Sequence, residues 1–326
     1  MTMTNDVEHL LREIASNNRS GAAEILARAA ELFELLVDQV DDTTTISQAR
    51  RAAMEACAAL VRAQPCMSPM INLASTVILE TAPSATSATS ATSATSASDV
   101  LKSAAGAACV FAERCRHASA AAADNAACLI RDGARILTHS RSSTILSALV
   151  AAHNAGTRFA VIATESRPLL EGRTLAEELI NKGLSVTLIA DAAAASVIET
   201  VTCILVGADR ITPLAIANKI GTRLIALAAA EQRVPAYAVA DSSKFISAPD
   251  PRVFVEAARP PDELWPNAPA GVLVLNRYFE ETDLRHFTGI ITEEGVLAPE
   301  DARRRAEVAV ISPSMAAAFN IAEEND

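Results

Sequence analysis

Thr202-Cys-Ile-Leu-Val-Gly-Ala-Asp209 is an apolar run that delivers a carboxylate, and Asn218-Lys-Ile-Gly-Thr222 follows it at the start of a helical pattern. The length and β-branched content of the run read as a buried strand, which places Asp209 where an open parallel sheet receives its ligand. An acid, an amide and an ammonium then converge on one crevice: Asp209, Asn218 and Lys219.

Outward from that strand the same texture repeats. Short apolar runs at Arg135 to Thr138, Arg158 to Thr164, Ser185 to Ala190, Ala236 to Ala240 and Gly289 to Thr292 alternate with helical stretches at Thr144 to Asn154, Thr174 to Lys182, Ala192 to Glu199 and Ile216 to Gln232. Such alternation predicts an α/β fold, a Rossmann-like parallel sheet with helices on both faces and right-handed crossovers, over 132–326. The Pro-rich stretch Pro249 to Pro269 reads as a long excursion before the last strand, anchored by Trp265. Residues 1–131 are rich in Ala, Leu, Glu and Arg with apolar spacings of three and four, as in Ile25-Leu26, Ala29-Ala30 and Leu32-Phe33, and predict a helical domain. A Ser-Ala-Thr triplet repeat over 84–98 has no large side chain to bury, so it reads as a disordered loop between two helices.

The formal net charge is -11, and that surplus of acid over the whole chain argues against a nucleic-acid partner, whose phosphates require clustered Lys and Arg. Cys57, Cys66, Cys109, Cys115, Cys128 and Cys203 lack CxxC spacing and read as buried free thiols of a cytoplasmic protein. A polar start from Met1 to Glu8, and no apolar run of about 18 residues, give no expectation of a signal peptide or membrane span.

Each expected strand ends in polar residues. Thr138-His-Ser-Arg-Ser-Ser143 can cradle a phosphate between helix N–H groups and the Arg141 guanidinium, or Ser142 or Ser143 simply caps the helix. In Thr164-Glu-Ser-Arg-Pro168, Glu165 and Arg167 read as an ion pair, with Arg167 also a candidate oxyanion ligand. Asp191 reads as a helix cap or a residue close to ligand. Burial of Asp209 would raise its pKa and suit general acid or base work, while Asn218 and Lys219 suit an oxygen-rich ligand such as a sugar phosphate. Lys244, in Asp241-Ser-Ser-Lys-Phe245, reaches either a phosphate or solvent, and Phe245 reads as core. His139 stands without a clustered Cys, Asp or His, so neither a metal nor a cofactor is expected.

These motifs resemble the family that joins the alpha, beta and delta regulatory subunits of the eukaryotic initiation-factor-two guanine-nucleotide exchange factor with methylthioribose-1-phosphate isomerase and ribose-1,5-bisphosphate isomerase. The matching stretches are Ile136 to Ser140, Thr164 to Pro168, Val186 to Ala193, Val206 to Thr212, Asn218 to Thr222 and Ile290 to Gly295. The resemblance implies the isomerases' aspartate at Asp209, but Ser140 stands at their cysteine, as in the alpha subunits. It implies ligand-binding roles for Arg19 and Gly21 within Arg19-Ser-Gly-Ala22, whereas Gln64-Pro65 stands where the isomerases have Arg-Pro. Pro213 to Ala217 lacks the family's glycine, which should alter the loop over the pocket.

Three readings follow from the resemblance. The first is a regulatory protein that binds a phosphorylated sugar or nucleotide without turnover. The second is a divergent aldose-ketose isomerase in which Arg141, Ser142, Ser143 and Lys219 hold phosphate, Asp209 moves a proton and Ser140 polarises the carbonyl. The third is a purely structural assembly module. The resemblance also implies a homo-oligomer, or assembly with paralogous subunits.

Overall fold

The computed structural model describes residues 4–17, 20–82, 96–247, 258–309 and 311. The chain divides into two compact units, which change over between Arg116 and His117.

The first unit is helical: α1 (Asn5–Ser16), α2 (Ala22–Val37), α3 (Ile46–Ala63), α4 (Ser68–Thr81) and the start of α5 (Ala97–Ala127). Its core is built from fully buried Leu26, Leu32, Phe33, Leu36, Leu60, Met70 and Leu101. Thr45 opens α3 with a capping box, exchanging hydrogen bonds with Gln48, so two orphan N–H groups are satisfied at once. Gln64 donates from Nε2 to the carbonyls of Ile14 (2.7 Å) and Asn17 (3.3 Å), closing the C-terminus of α1. The triplet repeat lies outside the described residues up to Thr95, but α5 already begins at Ala97, because Ser96 Oγ accepts from the Asp99 N–H (3.2 Å). The expected loop therefore ends earlier than residue 98.

The second unit holds the sheet: β1 (Arg135–Thr138), α6 (Ser143–Asn154), β2 (Ala160–Thr164), α7 (Glu171–Asn181), β3 (Ser185–Ile189), α8 (Ala194–Val197), β4 (Cys203–Gly207), β5 (Arg210–Ile211), β6 (Ala215–Lys219), α9 (Thr222–Gln232), β7 (Ala236–Val239), β8 (Phe279–Asp283), β9 (Gly289–Thr292), β10 (Gly295–Leu297) and α10 (Pro299–Glu307). The main sheet has seven strands in the order β10-β9-β7-β4-β1-β2-β3, all parallel except β10 on β9. This is the expected Rossmann-like architecture. One apolar cluster contains Leu137, Ile204, Val206, Ile225 and Ile290, and another contains Ile136, Ile145, Leu149, Leu175 and Leu205. Neighbouring residues of β1 and β4 fall in different clusters because successive side chains leave a strand on opposite faces.

A second sheet of three strands, β5-β6-β8, was not expected. Ile216 to Gly221 does not begin the crossover helix: Ala215–Lys219 is a strand, paired antiparallel with β5 and β8, and the helix starts only at Thr222. Gly221, at φ 105°, makes the turn between them, a conformation that favours glycine. The Pro213-Leu214 stretch is accordingly the turn of a hairpin, with the Thr212 N–H bonded to the Ala215 carbonyl (2.9 Å). Two smaller expectations also fail. Trp265 is 48% exposed and buries no anchor, and Cys109 and Cys128 are exposed whereas Cys57, Cys66, Cys115 and Cys203 are buried.

Candidate functional site

The strand order runs outward from β1 in one direction and from β4 in the other, so the switch point lies between their carboxyl ends. In open α/β sheets the connections there leave on opposite faces and open a crevice. Thr138 and Gly207 end these two strands, and the Ser140 and Asp209 turns follow them.

After β1 the chain turns at Ser140, which holds φ 66°. Ser166 (φ 63°) and Leu170 (φ 62°), after β2, are likewise left-handed. A non-glycine residue in that region costs about 1–3 kcal/mol and persists only where its surroundings hold it. Here the Ser140 N–H donates to Ser166 Oγ (2.8 Å), and Asp191 accepts from the N–H groups of Ser166 and Arg167 (2.7 Å each). Asp191 thus ties the end of β3 to the turn after β2, in place of the helix-cap role read from sequence.

Beside Ser140, His139 is 1% exposed. Its Nε2 lies 2.7 Å from the Ile220 carbonyl, which can only accept, so Nε2 carries the proton. Nδ1 then accepts from the Thr164 hydroxyl at 2.6 Å. Burial lowers the His139 pKa, outweighing the opposing pull of the Ile220 carbonyl and Asp191, and the neutral ring fits this arrangement.

The tip of β4 packs tightly. A Cβ on Gly207 would lie 2.9 Å from both Cβ and Oγ of Ser142 and 3.8 Å from Asn218 Oδ1, so only glycine lets the β1 turn and β6 meet over it. Ser142 is the N-cap of α6 and accepts from the Ile145 N–H (3.3 Å), which is the plain capping role; Ser143 is the first residue of that helix. Asp209 follows, half-buried, with its N–H on the Ala217 carbonyl (2.9 Å). Burial raises its pKa, against the lowering influence of Lys244, Lys219 and Arg210. Asn218 donates to Thr222 Oγ1 (2.9 Å), fixing the amide over the start of α9.

Most of the expected cations already have partners. Lys219, 2% exposed, donates from Nζ to Glu171 Oε1 at 2.6 Å, and its ammonium lies 5.1 Å from the Tyr278 ring centroid. Arg141 makes a forked pair with Glu178 at 2.9–3.1 Å. Arg167 is exposed and donates to the Leu264 carbonyl (2.7 Å), and Glu165 pairs with Arg173 (2.7 Å), not with Arg167 as the sequence suggested. Lys244 differs: only 6% exposed, its N–H bonds the Asp241 carbonyl (3.1 Å) but its ammonium has no hydrogen bond or salt bridge among the described residues, and it is foremost among the cations acting on Asp209. Phe245 beside it is core, at 2% exposed.

The structure therefore brings together Asp209, Asn218, Lys219, Lys244 and the Ser140–Ser142 turn, while Arg141 and Arg167 are engaged elsewhere. Gly21 is the N-cap of α2 in the helical unit, and Arg19 lies outside the described residues. Two acids were missed. Glu171 opens α7, and Gly172 next to it could not carry a Cβ, which would sit 1.7 Å from the Thr164 carbonyl oxygen; the bare glycine is what lets the start of α7 lie against the end of β2. Glu280 accepts from the N–H groups of Gly221 (2.7 Å) and Arg223 (2.9 Å), filling the helix terminus that an anion would otherwise take. Among the described residues no group of three His, Cys, Asp or Glu side chains is placed to hold a metal ion, and no helix is long and apolar enough to cross a membrane.

Fold and crevice define a Rossmann-like protein with a polar site at the strand ends. Residues 18–299 match the Initiation factor 2 subunit family, and the chain belongs to that family. It is 33% identical over 294 residues to a translation initiation factor eIF-2B subunit 2-like protein of Pyrococcus horikoshii, covering 90% of this chain and 96% of that one. It is 42% identical over 179 residues to ribose 1,5-bisphosphate isomerase of Archaeoglobus fulgidus, over 52% of this chain and 56% of that protein, so the match spans about half of that relative. Among solved structures it is similar to the translation initiation factor eIF-2B of P. horikoshii OT3, with TM-score 0.76 and 32% identity over 91% of this chain and 98% of that one. It is also similar to 5-methylthioribose 1-phosphate isomerase of the same organism, with TM-score 0.70 and 26% identity over 97% and 88%.

Proposed function

We propose that this chain is a regulatory member of its family. It binds a phosphorylated sugar or nucleotide at the carboxyl ends of β1, β4 and β7, without isomerase turnover, and assembles with copies of itself or with paralogous subunits. The observation that carries the reading is the buried ammonium of Lys244, within electrostatic reach of Asp209 but with no hydrogen bond or salt bridge among the described residues, and so open to an anion. Ser140 supports the absence of turnover. Its hydroxyl is far less acidic than a thiol and needs an adjacent base, and the neighbouring imidazole of His139 has both nitrogens engaged, by Thr164 and Ile220.

One observation favours the isomerase reading. Burial raises the Asp209 pKa toward the range in which a carboxyl group can both take and release a proton. The two readings part in a single experiment: calorimetry with phosphorylated pentoses and nucleoside monophosphates, followed by product analysis of every ligand that binds. Binding without a ketose product is the expected result. A ketose product would establish the isomerase, and no affinity for any of these compounds would remove both readings and leave the assembly module.

A further inference from the structure

We infer that the crevice is charge-matched to a ligand carrying one phosphate and an otherwise neutral body, so that a bisphosphate is the poorer ligand. This rests on the binding reading above. Three of the cations at these strand ends are already neutralised within the protein: Lys219 by Glu171 at 2.6 Å, Arg141 by the fork of Glu178, and Arg173 by Glu165 at 2.7 Å.

The Lys219–Glu171 pair is the strongest of these barriers. Its side chains are 3% and 14% exposed, so water screens it little, and a phosphate approaching Lys219 also meets the Glu171 charge. Glu171 Oε2 is buried with no hydrogen-bond partner among the described residues. A phosphate oxygen, itself an acceptor, cannot satisfy it. Lys244 has no carboxylate hydrogen-bonded to its ammonium, and burial raises the pKa of Asp209 against the pull of that lysine. One dianionic group is balanced by that ammonium, while a second adds negative charge next to Glu171 or Glu178.

Isothermal calorimetry on the full chain, with ribose 5-phosphate and ribose 1,5-bisphosphate at matched ionic strength, tests the inference. The monophosphate should bind at least about tenfold more tightly. Glu171→Gln keeps the side-chain shape and removes its charge, so the preference should shift toward the bisphosphate by at least about tenfold. A wild-type chain that binds the bisphosphate equally well or better overturns the inference while leaving the binding reading intact, as does a Glu171→Gln chain with an unchanged ratio. If that variant does not fold, the wild-type ratio alone decides. If neither compound binds, the binding reading falls and the inference with it.

Discussion

Gly207→Ala should damage the molecule through a single contact. The added Cβ lies 2.9 Å from both Cβ and Oγ of Ser142, whereas carbon atoms settle at about 3.5–4.0 Å, so one side must retreat by about 0.6 Å or more. β4 cannot be that side, because it is buried throughout and paired with β1 and β7. Ser142 must yield, at the expense of its cap on the Ile145 N–H. Loss of a serine cap costs about 1 kcal/mol and overpacking about 1–3 kcal/mol, so the variant should lose about 2–4 kcal/mol. For a unit of this size that is a fall in Tm of about 4–16 °C, readable by circular dichroism. Ser142→Gly removes both crowding atoms and costs only a few tenths of a kcal/mol at an N-cap, so adding it should restore most of that loss, about 2–3 kcal/mol. A Gly207→Ala chain that melts with the wild type, or a double variant no better than the single one, would refute the packing argument.

Lys244→Met should weaken ribose 5-phosphate binding by at least about tenfold in calorimetry, because it removes the cation to which the proposed reading assigns the anion; unchanged affinity would place the phosphate elsewhere. Asp209→Asn should gain stability over wild type as pH rises. The folded-state pKa of Asp209 is raised above the ordinary 3.8, so the native state binds its proton more tightly than the unfolded state does, and wild-type stability falls from about pH 3.8 upward until the folded group has ionised. Urea titrations from pH 3.5 to 8 would read that difference between the two chains, and a constant difference would refute the shift. Ser140→Cys supplies the acidic side chain that a proton-transfer partner of Asp209 requires, and on the proposed reading should bring measurable ketose formation from methylthioribose 1-phosphate or ribose 1,5-bisphosphate where none is expected from the wild type; silence in both would mean that more than the thiol separates this crevice from an isomerase. In the native chain a thiol reagent should modify Cys109 and Cys128 rapidly, while Cys57 and Cys203, pushed up by burial to about 12 and about 11, stay protected until unfolding.

The parallel strands were legible because each is a short apolar run bounded by polar residues, and β9 begins and ends where the pattern places it. β6 was not, since Ala215–Lys219 has no alternation to separate a strand from a helix, and its partner β8 (Phe-Glu-Glu-Thr-Asp) is polar enough to look like loop. At the site the sequence marks which residues are polar but not which are satisfied. Arg141 and Lys219 look equally available on paper, and only the fold reveals Glu178 and Glu171, thirty or more positions away in the chain, as the carboxylates that hold them. Lys244 is the converse case, a residue read as reaching either a phosphate or solvent that packing buries within electrostatic reach of Asp209.

The strained turn at Ser140 bears on how chemistry varies while the fold stays. Its left-handed backbone is held by its own N–H on Ser166 Oγ, by the Asp191 carboxylate on the next turn and by the Gly172 contact beneath Thr164, none of which involves the side chain at position 140. A hydroxyl or a thiol there meets the same supporting network, so exchanging one for the other leaves the architecture intact while changing the acidity of the group presented to the crevice by several pKa units. Strand order and turn geometry can therefore be shared with proteins named as isomerases and with proteins named as initiation factors alike. What separates the readings for this chain is the proton on one side chain and the carboxylates that occupy its neighbours.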